Sequence, residues 1–172
     1  VGTGAKGTTY QLSIEPKSSA SNMYTIFGDA SNEMVIPAGY QEAAPFGANT
    51  GGVSSAFSAV IATAAYDSWL SVGITDGDAG GALGSVGIDF TAWTSDAGIT
   101  IDNGAVFWMD PDLAPNSVDR GVAGAKTVTI AQLTGRNELG STECHFDAQG
   151  RSRGHSTGPG FCPGRQSGTP WS

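Results

Sequence analysis

The sequence predicts an all-β fold, an antiparallel β-sandwich of jelly-roll type with extended terminal arms. The first observation is composition: 26 Gly and 8 Pro among 172 residues exceed the usual combined share of about 12%. Charged residues make up only 14% of the chain, with five Glu and three Lys, too few for the outer faces of long helices. Polarity comes instead from Ser, Thr, Asn and Asp, which suit strands and turns.

The second observation is the regular alternation of apolar and polar residues. It is clearest in residues 8–14, where one face of a half-buried strand is predicted to carry Tyr10, Leu12 and Ile14. Whether this segment is the first strand of its own sheet or adds to another subunit is left open by the pattern.

Further short strands are predicted between turn-forming clusters, as in a sandwich or jelly roll. In chain order they are residues 22–27, 34–36, 57–65, 69–74, 85–90, 99–101, 105–109 and 127–133. Residues 57–65 are Ala-rich and suit a helical turn or a buried strand, and we interpret them as a strand. Asn103-Gly104 is the strongest hairpin signal, and residues 45–52 (PFGANTGG) predict a Gly-rich loop.

The chain is predicted to have three parts: an N-terminal strand or arm of residues 1–14, a sandwich domain of residues 8–150, and a basic Gly/Pro/Ser-rich tail of residues 151–172. The net charge of the chain is −8, and it is unevenly distributed. The stretch from Asp67 to Asp119 holds nine carboxylates without any Lys or Arg, whereas the tail holds three Arg without any acid. An acidic main fold argues against a nucleic-acid partner. The sequence also lacks the run of about 18 to 20 apolar residues that a bilayer span needs.

Two features favour an extracellular location. The sequence begins at Val1 rather than Met, as expected of a secreted chain whose signal has been removed. Cys144 and Cys162 are the only cysteines, and we predict that they form a disulfide that pins the tail to the body. Two free thiols or a metal pair are the alternatives.

The candidate chemistry is sparse. Asp76 and Asp78 have a spacing that suits calcium, although an acidic turn explains the same pattern; Asp110 and Asp112 could add ligands. Carboxylate pairs with Trp69, Trp93 and Trp108 would suit sugar chemistry, although a Trp on a β-sandwich strand is usually part of the core. No P-loop motif occurs, and both His lie between Cys144 and Cys162, so we expect no enzyme and no required cofactor. Since Asn-x-Ser/Thr is absent, O-linked glycans are more plausible than N-linked ones.

Several segments resemble an uncharacterised domain of secreted proteins from algae, protists and other aquatic microbes. They are YDSWLSVGITDGDAGG (66–81), SVGIDF (85–90), DNGAVFWMDPD (102–112), VTIAQLTG (128–135), TYQLSI (9–14) and the PFGANTGG loop. The resemblance covers roughly residues 8–150. Beyond Gly150 the basic tail replaces an expected aromatic strand.

The resemblance implies a structural role, because similar domains form the core of glycan-coated, pilus-like extracellular filaments. In these, a terminal strand of one subunit completes the sheet of the next. We therefore expect a homopolymer of identical subunits, assembled head to tail through Tyr10, Leu12 and Ile14. The alternative is a secreted carbohydrate- or calcium-binding module that uses the acidic loops and Trp residues.

Overall fold

The fold is all-β and antiparallel, as predicted, in a computed structural model that describes residues 2–4, 6–16, 22–115, 127–135, 147–150 and 160–162. Eleven short strands lie within these residues. They are β1 (Gly2–Gly4), β2 (Gly7–Ile14), β3 (Thr25–Gly28), β4 (Met34–Ile36), β5 (Trp69–Leu70), β6 (Leu83–Val86), β7 (Ile99–Ile101), β8 (Gly104–Trp108), β9 (Val128–Gly135), β10 (Asp147–Gly150) and β11 (Gly160–Cys162).

These strands form three sheets. The first sheet has the order β1-β2-β9-β5, the second sheet has the order β11-β10-β3-β8-β6, and β4 pairs with β7 alone. The arm and the tail of the predicted division each contribute a short edge strand, β1 and β11. The finer assignment as a jelly-roll sandwich stays a prediction.

One apolar cluster joins all three sheets. Its most buried members include Met34 on β4, Val106 on β8 and Ile130 on β9, each at most 1% exposed. Leu12 and Ile14 of β2 pack against the same cluster. The predicted buried face of residues 8–14 is therefore confirmed at these two positions, and β2 belongs to its own sheet.

The strand predicted for residues 57–65 is wrong. The chain instead forms the short helix α1 (Ser55–Ser58) and a 3₁₀ helix (Ala62–Tyr66). The Ser54 side chain accepts a hydrogen bond from the Ala56 N–H and caps α1, and Ala favours helical backbone. Phe57 is 45% exposed and Val60 73% exposed, and only Ala64 within this run is buried, so most of the run lacks the buried environment that the strand interpretation assumed.

The hairpin predicted at Asn103-Gly104 is also wrong. β7 pairs with β4, whereas β8 pairs with β3 on one edge and β6 on the other. Because both edges of β8 are occupied, no edge remains for β7. The turn therefore carries the chain from one sheet to another.

The other predicted strands are found, some with the predicted ends and some with different ends. β4 and β7 match the prediction, whereas β5 is shorter than residues 69–74, and residues 85–90 divide into the end of β6 and the start of a 3₁₀ helix (Phe90–Ala92). Among the residues described, no helix is long and apolar enough to cross a bilayer.

Candidate functional site

The free edge of β2 is the candidate functional site. In a pair of antiparallel strands, two opposite residues direct their backbone N–H and C=O groups either toward each other or both away from the partner strand. Thr134 of β9 points away from β2, because its carbonyl accepts from the Tyr40 N–H at 2.7 Å and its N–H donates to Ser68 Oγ at 3.0 Å. Its opposite residue, Thr9, therefore directs its own N–H and C=O toward the outer edge.

The same alternation continues along β2. Gln11 lies two residues after Thr9 and points outward. Ser13 is opposite Thr129, whose carbonyl accepts from the Gly73 N–H at 2.8 Å on the far side of β9, so Ser13 also points outward. Both side chains are exposed.

Strand β1 covers only the start of this edge. It pairs Gly2 with Thr9, Thr3 with Thr8 and Gly4 with Gly7, so its ladder ends at Thr9. Within the described part of the chain, the outward backbone groups of Gln11 and Ser13 have no strand beside them. An edge of this kind is a template for strand addition.

The β1–β2 hairpin is held by two aromatic contacts. A Cβ atom at Gly4 would overlap the Tyr66 ring, so glycine allows β1 to lie against this ring. Lys6 Nζ lies 4.5 Å from the centroid of the Tyr40 ring, a cation–π distance. Tyr40 Oη in turn donates to Glu42 Oε2 at 2.9 Å.

The opposite edge of the first sheet is closed. Leu70 of β5 donates its N–H to the Asn49 carbonyl at 3.0 Å and accepts from the Gly51 N–H at 2.9 Å. The predicted Gly-rich loop thus occupies this edge, and positive φ angles at Gly51 and Gly52 (77° and 80°) give it the required turn. The first sheet therefore has one covered edge and one partly free edge.

Asp67 fixes the loop that closes this edge. Its carboxylate is fully buried and accepts from the Glu42 N–H at 2.7 Å and the Ala48 N–H at 2.6 Å. Burial raises the pKa of Asp67 to about 6, against the effect of these hydrogen bonds. Nearby Glu42 has a lowered pKa, mainly because the Thr63 side chain hydrogen-bonds it.

The two carboxylates considered for calcium hold loop backbone. Asp76 accepts from the Ser55 N–H at 2.5 Å, and Asp78 accepts from the Ala82 and Leu83 N–H groups, both at 2.8 Å. Asp110 likewise accepts from the Asp112 N–H at 3.0 Å. Over the described ranges, no group of three or more His, Cys, Asp or Glu side chains converges as metal ligands would.

The three Trp residues considered for sugar stacking differ in exposure. Trp69 and Trp93 are each 2% exposed, so these two belong to the buried interior, the more usual position for Trp, and offer no sugar-binding surface. Their large side chains are more stable in the apolar interior. Trp108 is half-buried, and its Nε1–H donates to the Val72 carbonyl at 2.7 Å.

Trp108 borders an open cleft of about 440 Å³. Leu113 and Pro115 add apolar surface to the cleft, while Thr75 and Asp76 add polar groups. This combination of a fixed aromatic ring and polar groups is common in ligand pockets.

The predicted disulfide is not tested, because Cys144 and the Cys162 side chain lie outside what the structure describes.

Sequence reasoning missed the burial of Asp67, because nothing in the sequence distinguishes it from the other eight Asp residues between Asp67 and Asp119. It also missed the second apolar face of β8, although the uninterrupted apolar run AVFWM (105–109) carried that signal.

Comparison of the chain with protein-family models, curated proteins and solved structures finds no match.

Proposed function

We propose that this chain is a structural subunit of an extracellular, O-glycosylated filament that assembles head to tail by strand addition. The observation that carries this proposal is the free edge of β2, where the backbone groups of Gln11 and Ser13 face outward beyond the end of β1. A strand from a neighbouring copy, predicted to be its N-terminal arm, adds to this edge.

The composition of the edge supports strand addition. Natural edge strands are usually blocked by Lys, Pro or inward charges. Between Gly7 and Ile14 the sequence GTTYQLSI has none of these. Each added backbone hydrogen bond contributes about 1 kcal/mol. Gln11 and Ser13 together offer four outward N–H and C=O groups, and Thr9 would offer two more if β1 detached.

The packing of β2 changes the role expected for its apolar residues. Leu12 and Ile14 pack against the chain's own core, so in this structure they anchor β2 rather than enter a neighbour. In the proposed assembly, Tyr10, Leu12 and Ile14 hold the acceptor strand in place. The donor is then the arm that precedes it.

The test is Ser13→Pro. Because the Ser13 N–H points away from β9, proline at this position removes an assembly donor without removing a ladder hydrogen bond. We expect folded monomers by circular dichroism and sedimentation velocity, and no filaments in negative-stain images. Ser13→Thr keeps the N–H and is the matched control; filaments of both variants would overturn the proposal, as would a wild-type chain that never assembles.

A second candidate function is carbohydrate binding, favoured by the cleft beside Trp108. A neutral sugar could stack on the indole while Thr75 and Asp76 accept hydrogen bonds. Titration with cellohexaose, followed by Trp fluorescence, distinguishes this candidate. Saturable binding that Trp108→Ala abolishes would favour a binding module over a filament subunit.

A further inference from the structure

The start of the β2 edge is covered by the chain's own N-terminal arm. β1 pairs Gly2 with Thr9 and Gly4 with Gly7. Thr9 points its backbone groups toward the outer edge, and Gly7, two residues earlier, points the same way. These two pairs therefore exchange hydrogen bonds, so β1 uses the outward backbone groups of two residues on β2.

The sequence of this arm contributes little to its stability. β1 is three residues long, with the sequence GTG, and it lies at the end of the sheet order next to β2. Glycine weakens a strand, because it loses more conformational freedom on folding than other residues and has no side chain to pack. Weak edge segments of this kind open by local unfolding while the rest of the fold stays intact.

Two aromatic rings hold the arm in place. Gly4 lies against the Tyr66 ring, which a Cβ atom at this position would overlap. Half-buried Lys6, which follows β1, places Nζ 4.5 Å from the centroid of the Tyr40 ring, where the cation is attracted to the aromatic face. Its charge also contributes to the lowered pKa of Glu42. We call the rings of Tyr40 and Tyr66 the latch.

The latch is fixed to the body of the fold rather than to the arm. Tyr40 donates its N–H to the Thr134 carbonyl at 2.7 Å, and its carbonyl accepts from the Ser68 N–H at 2.9 Å. Tyr66 ends the 3₁₀ helix directly before the buried Asp67. The arm can therefore open without moving the backbone that carries either ring.

The position of the arm decides how much of the edge a neighbour can use. With β1 closed, the outward groups of Gln11 and Ser13 remain uncovered. With β1 open, the uncovered edge extends over residues 7–13. The same opening releases residues 2–4, which belong to the arm proposed as the donor strand. A closed subunit therefore withholds part of the acceptor edge and the donor together.

We propose that β1 is an autoinhibitory arm, which the latch holds on its own β2, and that its opening limits assembly. This proposal rests on the proposed function, since it names what regulates the same edge. Because only open subunits exchange strands, the apparent affinity of assembly is reduced by the fraction of subunits that is open. A change that opens the arm therefore favours assembly without adding a contact between copies.

The experiment combines amide hydrogen exchange of the monomer, kept below the assembly concentration, with the lag time of assembly followed by light scattering. The outward Thr9 amide bonds to β1, so its exchange reports opening of the arm. Gly4→Ala forces the arm or the Tyr66 ring to move, and it should lower Thr9 protection about tenfold or more and shorten the lag time. Gly80→Ala is the matched control, because a Cβ atom there meets no other atom within 4 Å.

Lys6→Gln tests the latch at its second contact. It removes the cation beside the Tyr40 ring, and it should lower Thr9 protection by about two- to fivefold. Lys6→Arg keeps the cation and should resemble the wild type. In every variant the Tyr10 amide, which bonds to β9, should stay protected, which shows that β2 remains in its sheet.

Equal Thr9 exchange in the Gly4→Ala and Gly80→Ala monomers would overturn the role of the latch. Faster Thr9 exchange in Gly4→Ala with an unchanged or longer lag time would overturn the autoinhibition and leave strand addition standing. An absence of filaments from the wild type and every variant would overturn the proposed function, and the autoinhibition with it.

Discussion

The two larger sheets differ in the side chains that they carry on the side away from the apolar cluster. On the first sheet, polar side chains pair across β2 and β9: Thr9 with Thr134 at 2.8 Å, Gln11 with Gln132 at 3.2 Å and Ser13 with Thr129 at 3.2 Å. On the second sheet, the corresponding side carries the apolar side chains of Phe27, Val86 and Phe107, none of which belongs to the buried cluster. The first sheet therefore has hydrogen-bonded side chains beside a free backbone edge, whereas the second carries apolar side chains, of which Val86 is 60% exposed.

This difference separates two kinds of association. A free edge binds through backbone hydrogen bonds, which depend little on the partner's sequence, whereas an apolar face selects a partner by shape. In the proposed filament, the first sheet supplies the strand contact.

The largest effect is expected from Leu12→Asp. Leu12 packs against the core, and a carboxylate there should cost about 3 kcal/mol or more of unfolding free energy. Gln11→Asp, on the exposed face of the same strand, should cost about 1 kcal/mol or less. Urea unfolding followed by circular dichroism measures both. A Leu12→Asp chain of wild-type stability would show that β2 does not belong to the core of its own subunit.

The pH dependence of stability tests the closed edge of the first sheet. The pKa of Asp67 rises from 3.8 to about 6 on folding, so the folded chain binds this proton more tightly. The resulting stability is complete below about pH 4 and is lost as the pH rises through about 6, amounting to roughly 3 kcal/mol. Relative to Asp67→Asn, the wild-type chain should therefore lose unfolding free energy between pH 4 and pH 7.

Asp89→Asn is the matched control for this experiment. Asp89 is exposed, and a hydrogen bond from the Thr91 side chain lowers its pKa, so its contribution to stability has the opposite sign and is lost only as the pH falls. If wild type and Asp67→Asn showed parallel pH profiles, the carboxylate would not control how this edge is held.

A smaller effect is expected at the acidic loop beside the second sheet. Asp78→Ala removes the acceptor for the Ala82 and Leu83 N–H groups next to β6, which should cost about 1 to 3 kcal/mol. Because these oxygens already accept protein donors, we expect the same melting temperature in calcium and in excess chelator. A calcium-dependent rise that Asp78→Ala removes would instead favour the calcium-binding alternative.

Local patterns predicted the elements whose structure depends on local chemistry. Alternation located β2, and short apolar runs located β4 and β7. The errors arose where distant residues decide the outcome. Asn103-Gly104 could not reveal that β3 and β6 occupy both edges of β8, and the sequence around Asp67 does not distinguish a buried carboxylate from an exposed one.

The candidate site was predictable only in part. The sequence predicted an assembly role for residues 8–14, yet it could not show which backbone groups point outward, because that depends on pairing with β9. The apolar character of the second side of β8 was within reach of pattern reasoning, since residues 105–109 are apolar on both sides of the strand.

Amide hydrogen exchange along β2, compared between monomer and filament, tests the central claim most directly. In the monomer, the Tyr10 and Leu12 amides bond to β9 and should exchange slowly, while the outward amides of Gln11 and Ser13 should exchange quickly. In the filament, the account predicts slow exchange at all four positions, because a neighbour's strand then pairs with the free edge. Fast exchange at Gln11 and Ser13 in intact filaments would contradict it.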